Sequence, residues 1–163
     1  MKRSIIIYLS CLFLIQGCYT FKDISIKPDV KTFMVEDFNL SANAPGSINQ
    51  EFTEELKNQI RTETRLIYDE NDPHIVLEGS ITGFSVVSTA TDAQNTASLN
   101  KLDIRIKVKY TNILHEEEDW ESTFSEYATF DRDTNLSEVQ DDLVDEIFEQ
   151  IIESIINRAF SNW

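Results

Sequence analysis

Apolar and polar residues follow two different rhythms along this chain. Between residues 101 and 110 the period is two: Leu102, Ile104, Ile106, Val108 and Tyr110 alternate with Lys101, Asp103, Arg105, Lys107 and Lys109. Such alternation predicts a strand with one buried face, the habit of an antiparallel sheet. Trp120, Phe124, Ala128 and Phe130 mark the inward face of a following strand. Pairing Tyr110 with Trp120 sets Lys109 opposite Glu121, and brings Lys107, Arg105 and Lys101 near Thr123, Ser125 and Thr129. Another strand opens at Ile75, with Ile75, Leu77 and Ile81 on one parity and Phe84 and Val86 on the other. A one-residue slip would turn side chains to the wrong face, so a β-bulge is expected at Gly83. Residues 31–38 and 66–68 read as a first strand and a short one.

The other rhythm is helical. Ser47 with Gln50 three places on forms a capping box, after which Phe52, Leu56 and Ile60 make an apolar stripe. Glu51, Glu54 and Glu55 lie near the positive end of this helix, with Lys57, Arg61 and Arg65 later, as the macrodipole favours. The chain closes on a longer stripe: Leu136, Val139, Leu143, Ile147, Ile151, Ile155, Ala159 and Trp163, widened by Val144, Phe148, Ile152, Ile156 and Phe160. At 1.5 Å per residue, about 25 residues reach close to 40 Å. Asp141, Asp142, Asp145, Glu146, Glu149 and Glu153 exclude that helix as a membrane span. The expectation is an α+β fold: two helices packed on one face of a mostly antiparallel four- to five-stranded sheet.

The first residues belong to neither rhythm. Lys2 and Arg3 precede an apolar run from Ile5 to Ile15, the layout of a secretory signal and too short for a spanning helix. The run ends in Ile15-Gln16-Gly17-Cys18, which resembles a bacterial lipobox, a signal in which the cysteine sulfur takes a diacylglycerol and becomes the new N-terminus. Residues 1–17 are then a removed signal peptide, 18–30 a lipidated tether and 31–163 a single α+β domain. An ordinary signal peptide with an incidental Cys18 is the competing reading. Cys11 leaves with the signal, so no thiol remains for a disulfide framework or a cysteine metal site. Stable attachment needs more than one acyl chain, which a mature lipoprotein carries. Tyr19 stands where an aspartate would resemble an inner-membrane retention signal, so the outer membrane is expected.

Charge narrows the partners. Of 163 residues, 29 are acidic and 14 basic, and removing residues 1–17 takes Lys2 and Arg3, leaving a formal net charge of −17. That balance argues against nucleic acid and against adhesion to anionic headgroups. No catalytic constellation is present: no GxSxG, no phosphate-cradling glycine loop, no HExxH, and His74 and His115 read as isolated and solvated. Glu116 to Asp119 could hold a cation only weakly and reads as a solvated turn. No cofactor is expected and the protein is not expected to be an enzyme.

The feature with chemical content is the row Lys101, Arg105, Lys107 and Lys109, cations about 7 Å apart on one strand face. Such a row could meet the phosphates of an anionic glycolipid. A charged strip that keeps a sheet soluble is the alternative. The connector from Ser88 to Asn100 is long for a hairpin, lacks Gly and Pro, and is rich in hydroxyls and amides, as functional or disordered loops often are.

The segments "CYTFKDISIKPDVKTFMVEDF", "FTEELKNQIRTETRL", "LEGSITGFSV", "LNKLDIRIKVKYTN" and "NRAFSNW" together resemble the LptE family of lipopolysaccharide-assembly lipoproteins, in order and over the mature chain. The resemblance implies an outer-membrane lipoprotein on the periplasmic side. It further implies a chain that plugs the LptD-type β-barrel translocon, helps assemble it, and binds lipopolysaccharide. The only functional residue it carries over is the lipidated Cys18. A free periplasm-facing lipoprotein that binds a lipid or glycan without a barrel is the alternative.

Overall fold

In a computed structural model, residues 26–88 and 99–161 are described. Cys18, Trp163 and the central part of the 88–100 connector lie outside them. The elements run β1 (Thr32–Val35), β2 (Asn39–Leu40), α1 (Ile48–Glu63), β3 (Ile67–Tyr68), β4 (Ile75–Ser88), β5 (Leu99–Asn112), a 3-10 turn (Glu116–Glu118), β6 (Trp120–Asp131) and α2 (Leu136–Phe160). They form the expected two-layer α+β fold. The sheet has six strands rather than four or five, in the order β3-β1-β4-β5-β6, with β2 pairing β4 beyond the end of β1.

The sheet is mixed. Its long part, β4-β5-β6, is an antiparallel meander with Tyr110 opposite Trp120 and Lys109 opposite Glu121, the register the alternation implied. The short strands β1, β2 and β3 pair in parallel, because each precedes or follows a helix that carries the chain back. The bulge falls between Ile81 and Gly83 and moves Phe84 into line with Ile104. Gly79 serves a separate need. A Cβ there would meet the Lys107 carbonyl oxygen at 2.2 Å and the Phe38 ring at 2.6 Å, so only glycine admits that close approach.

One face of the sheet is buried under both helices. Leu102, Ile104, Ile106 and Val108 of β5 are fully buried, as are Phe52, Leu56 and Ile60 of α1 and Ile147, Phe148, Ile151 and Ile155 of α2. Three phenylalanines join the layers: Phe52 meets Phe38 and Phe148 edge to face, each at a centroid distance of 5.0 Å. Thr53, buried among them, accepts from the Phe38 N–H at 3.1 Å and donates to the Asn49 carbonyl at 2.8 Å. α2 is capped by Asn135, whose side chain accepts from the Ser137 N–H. α1 departs from expectation: Ser47 stands at the N-cap, but its side chain makes no capping bond. Its carbonyl instead takes the Gln50 and Glu51 N–H groups, so the backbone opens the helix without the box.

Two further expectations change. Neither histidine is idle: His74 Nδ1 accepts from the Lys31 N–H at 3.2 Å, and His115 Nε2 lies 2.8 Å from Asp29. The acidic turn is engaged rather than merely solvated, since Lys27 meets Glu118 at 2.7 Å and Glu117 at 3.2 Å. With Arg65 donating to the carbonyls of Ile26 and Lys27, and Val30 buried, residues 26–30 are packed along the domain's end.

Candidate functional site

Among the described residues no helix covers the opposite face of the meander. On β5 it presents Lys101, Asp103, Arg105, Lys107 and Lys109; β4 adds Glu78, Ser80, Gly83 and Ser85, and β6 adds Glu121, Thr123, Ser125 and Tyr127. The predicted cation row therefore exists as a row, on an exposed surface. Its electrostatics differ from a bare basic strip. Lys109 pairs with Glu78 at 2.6 Å and Lys107 with Glu121 at 2.6 Å. Asp103 lies between Lys101, at 3.8 Å, and Arg105, at 3.6 Å. Lys101 also sits over the Tyr127 ring, 3.6 Å from its centroid. Four cations thus alternate with three carboxylates.

The row is not uniform. The Lys101 side chain is 29% exposed, held between Asp103 and the tyrosine ring. Arg105 is 53% exposed, and its only ion-pair partner among the described residues stands at the long distance of 3.6 Å. Its ladder neighbours are Gly83 and Ser125, both too small to cover it. A guanidinium so placed can offer a planar pair of N–H donors to an incoming oxyanion. Lys107 and Lys109 would first have to leave their glutamates, and each such surface pair is worth about 0–1 kcal/mol. Contact with Glu78 holds the Lys109 ammonium above its ordinary range. Beside these lysines lies an open cleft of about 680 Å³ whose lining includes Glu36, Asp37, Glu78 and Glu121. The positive potential of the face therefore centres on Arg105.

Reading the sequence missed Glu78 as the partner of Lys109 and Gly83 as the gap beside Arg105. Extending the β4–β5 ladder back from the bulge would have found both. The connector is anchored where its ends are described: the Ser88 hydroxyl bonds to the Asn100 side chain at 3.0 Å, closing the ladder.

A second charged feature lies between the helices. Glu55, Gln59 and Glu63 of α1 face Asp145, Glu146, Glu149 and Glu153 of α2 across a groove of about 670 Å³. Desolvation, then the charges of Asp145, Glu51 and Glu149, hold the Glu55 carboxyl above the ordinary range. Among the described residues no group of His, Cys, Asp and Glu comes together in a way that could hold a metal ion.

A helix pair over one face of a mixed sheet whose other described face is polar defines a two-layer α+β module. Solved structures share this architecture. A homologue of the neuraminyllactose-binding hemagglutinin from Helicobacter pylori has 10% identity and a TM-score of 0.55, covering 88% of this chain and 90% of its own. PelC from Paraburkholderia phytofirmans, solved as a dodecamer, has 10% identity and a TM-score of 0.52, with 84% and 93% covered. A minor lipoprotein from Acinetobacter baumannii has 12% identity and a TM-score of 0.50, with 80% and 95% covered. At such identities the likeness is one of fold. No curated protein matches the sequence. Within this architecture the chain belongs to the LptE family, described as lipopolysaccharide-assembly, whose model matches residues 30–159.

Proposed function

We propose that this protein is a non-enzymatic lipoprotein, attached to the periplasmic side of the outer membrane through Cys18. There it plugs an LptD-type β-barrel, helps it assemble, and binds lipopolysaccharide. The observation that carries this reading is the family match over residues 30–159. The lipobox at Ile15 to Cys18 supports the anchor. The polar open face supports the plug, since the interior of a large barrel is itself polar and wet. An acidic surface suits such a lumen through hydrogen bonds and complementary charge.

For the glycolipid, the strip Lys101, Arg105, Lys107 and Lys109 is the contact surface, with Arg105 its centre because its guanidinium is exposed, its carboxylate partner stands off at 3.6 Å and its ladder neighbours are the smallest. Phosphate would displace Glu78 and Glu121 from the two lysines as it docks.

The test is co-purification from detergent-solubilised outer membranes. The wild-type chain should recover a barrel protein, and Cys18→Ser should remain as unacylated precursor. Deleting residues 90–97 should leave the domain folded and lower the yield of the complex. In a direct binding assay, Arg105→Glu with Lys107→Glu should weaken lipopolysaccharide binding while the melting temperature stays nearly constant. A folded, membrane-attached chain that recovers no barrel would refute the plug, and unchanged glycolipid binding in the double variant would leave the strip a solubility device.

A further inference from the structure

Residues 26–30 fix where the chain from Cys18 enters the domain. Lys27 reaches Glu118 and Glu117, and Asp29 lies 2.8 Å from His115, so this segment is clasped to the turn that joins β5 to β6. Cys18 stands eight residues before Ile26. Eight residues of chain span at most about 29 Å. β5 alone, with 14 residues, is about 45 Å long. A lipid on Cys18 therefore cannot hold the far end of the sheet, at Leu99 and Asp131, against a bilayer. The end that carries the β5–β6 turn stays within reach.

That end exposes aliphatic side chains in an ordered frame. Ile113 is 54% and Leu114 44% exposed, directly after β5. Buried Asn112 fixes the turn: its Oδ1 accepts from the N–H groups of Leu114 and His115, its Nδ2 donates to Glu118, and its own N–H donates to Asp119. The Ile113 N–H donates to the His74 carbonyl, and the His74 N–H to the Thr32 carbonyl. Thr32 in turn is the ladder partner of Ile67, itself 67% exposed. Ile67, Thr32, His74 and Ile113 thus make one row across the end of the sheet, with an exposed isoleucine at each end of the row. Single exposed aliphatics are ordinary, but three held on the end nearest an anchor mark a contact. The charge beside them is mostly negative. Glu116, Glu117 and Glu118 follow in the turn, and Asp72 is bonded through its carbonyl to Thr32. Such a turn repels an anionic surface and suits headgroups that carry an ammonium beside each phosphate.

We propose that Ile113 and Leu114, with Ile67 at the other end of their row, seat in the interfacial layer of a zwitterionic lipid bilayer as a second foot beside the acylated Cys18. Interfacial side chains bind through the apolar area they remove from water, and that contact adds to the anchor. Two attachments at one end set the sheet upright on the bilayer, with Leu99 and Asp131 pointing away. This inference rests on the Cys18 anchor and on neither the barrel nor the glycolipid.

The test uses the full acylated chain in vesicles of phosphatidylethanolamine and phosphatidylcholine. An environment-sensitive fluorophore is placed on Leu114→Cys, on Glu116→Cys or, at the far end, on Asp133→Cys. In an acylated chain the Cys18 sulfur is a thioether, so only the introduced thiol reacts. Lipids spin-labelled on the acyl chain should quench the label at 114 several-fold more than the label at 133, with its emission shifted to the blue. The label at 116 reads the tip without replacing it, and its quenching should be lost when Ile113→Ser and Leu114→Ser are added. Equal quenching at 114 and 133, or quenching at 116 that survives the serine pair, would overturn the proposal. Stronger quenching in vesicles enriched in phosphatidylglycerol would also overturn it, because charge and not the aliphatic tip would then set the contact. Mass spectrometry of the same sample reads the anchor separately. An unmodified Cys18 refutes the anchor and this inference with it, whereas an acylated Cys18 with an unquenched tip refutes this inference alone.

Discussion

Ile104 and Arg105 are adjacent in the chain and live in different solvents. Ile104 points into the layer under the helices, between Phe84 and the aliphatic core, and is fully buried. Arg105 points out between Gly83 and Ser125 into water. The two faces of one strand therefore divide the work. The covered face draws its energy from buried apolar area, worth about 1.5–3 kcal/mol per large side chain. The open face is a lattice of weak ion pairs that contribute little to stability and can be exchanged for other ligands. A sheet built this way can change partners on one side without disturbing the side that holds it together.

That contrast can be broken first at its strongest point. Phe52→Ala removes the ring between Phe38 and Phe148 and should cost about 3–5 kcal/mol in chemical denaturation. A loss comparable to a surface substitution would mean that the aromatic chain does not bind the helices to the sheet. Next comes the adjacent pair. Ile104→Ala should cost about 2–5 kcal/mol. Arg105→Ala should stay within about 0.5 kcal/mol. Equal losses would erase the distinction between the faces.

The smallest effect concerns the acidic groove on the helices' outer side. Desolvation and neighbouring acids, Asp145 foremost, raise the carboxyls of both Glu51 and Glu55. A folded-state value raised above the unfolded one means the folded protein takes up the proton more readily. These two groups therefore destabilise the fold at neutral pH, and the burden lifts as pH falls toward the ordinary glutamate range. Groups lowered in the folded state act oppositely: Glu54, bonded to Lys57, and Asp69, bonded to the Asn71 and Asp72 N–H groups, lose their contribution only at more acid pH. Thermal melts should show a stability maximum on the mildly acid side of neutrality. Glu55→Gln should raise neutral-pH stability by about 0.5 kcal/mol and flatten that rise. A melting temperature that falls steadily from neutral pH downward would show that the groove is not strained.

Much of the fold was legible because burial writes a period into the chain. The alternation in β5, the parity change at Gly83 and the 3.6-residue stripe of α2 each depend on neighbours a few residues away. The Tyr110–Trp120 register followed because both flank one short turn. The candidate anchor Cys18 and the row Lys101, Arg105, Lys107 and Lys109 were equally local.

What pattern could not supply depended on contacts between distant residues. Nothing near Lys109 announces Glu78, 31 positions away, as its partner. The parallel strands β1, β2 and β3 are too short to show a period, and only the helix returns place them beside β4. Ser47 and Gln50 have the spacing of a capping box, yet the side-chain bond is not formed, because the backbone bonds already open the helix. His74 and His115 look isolated in sequence and become fasteners only when residues 26–31 fold back along the domain. The sequence by itself determined which residues must leave water and at what spacing, since that follows from side-chain chemistry and local geometry. Which charges neutralise one another, and which strands lie side by side, only the tertiary structure decided, because those depend on where the chain returns.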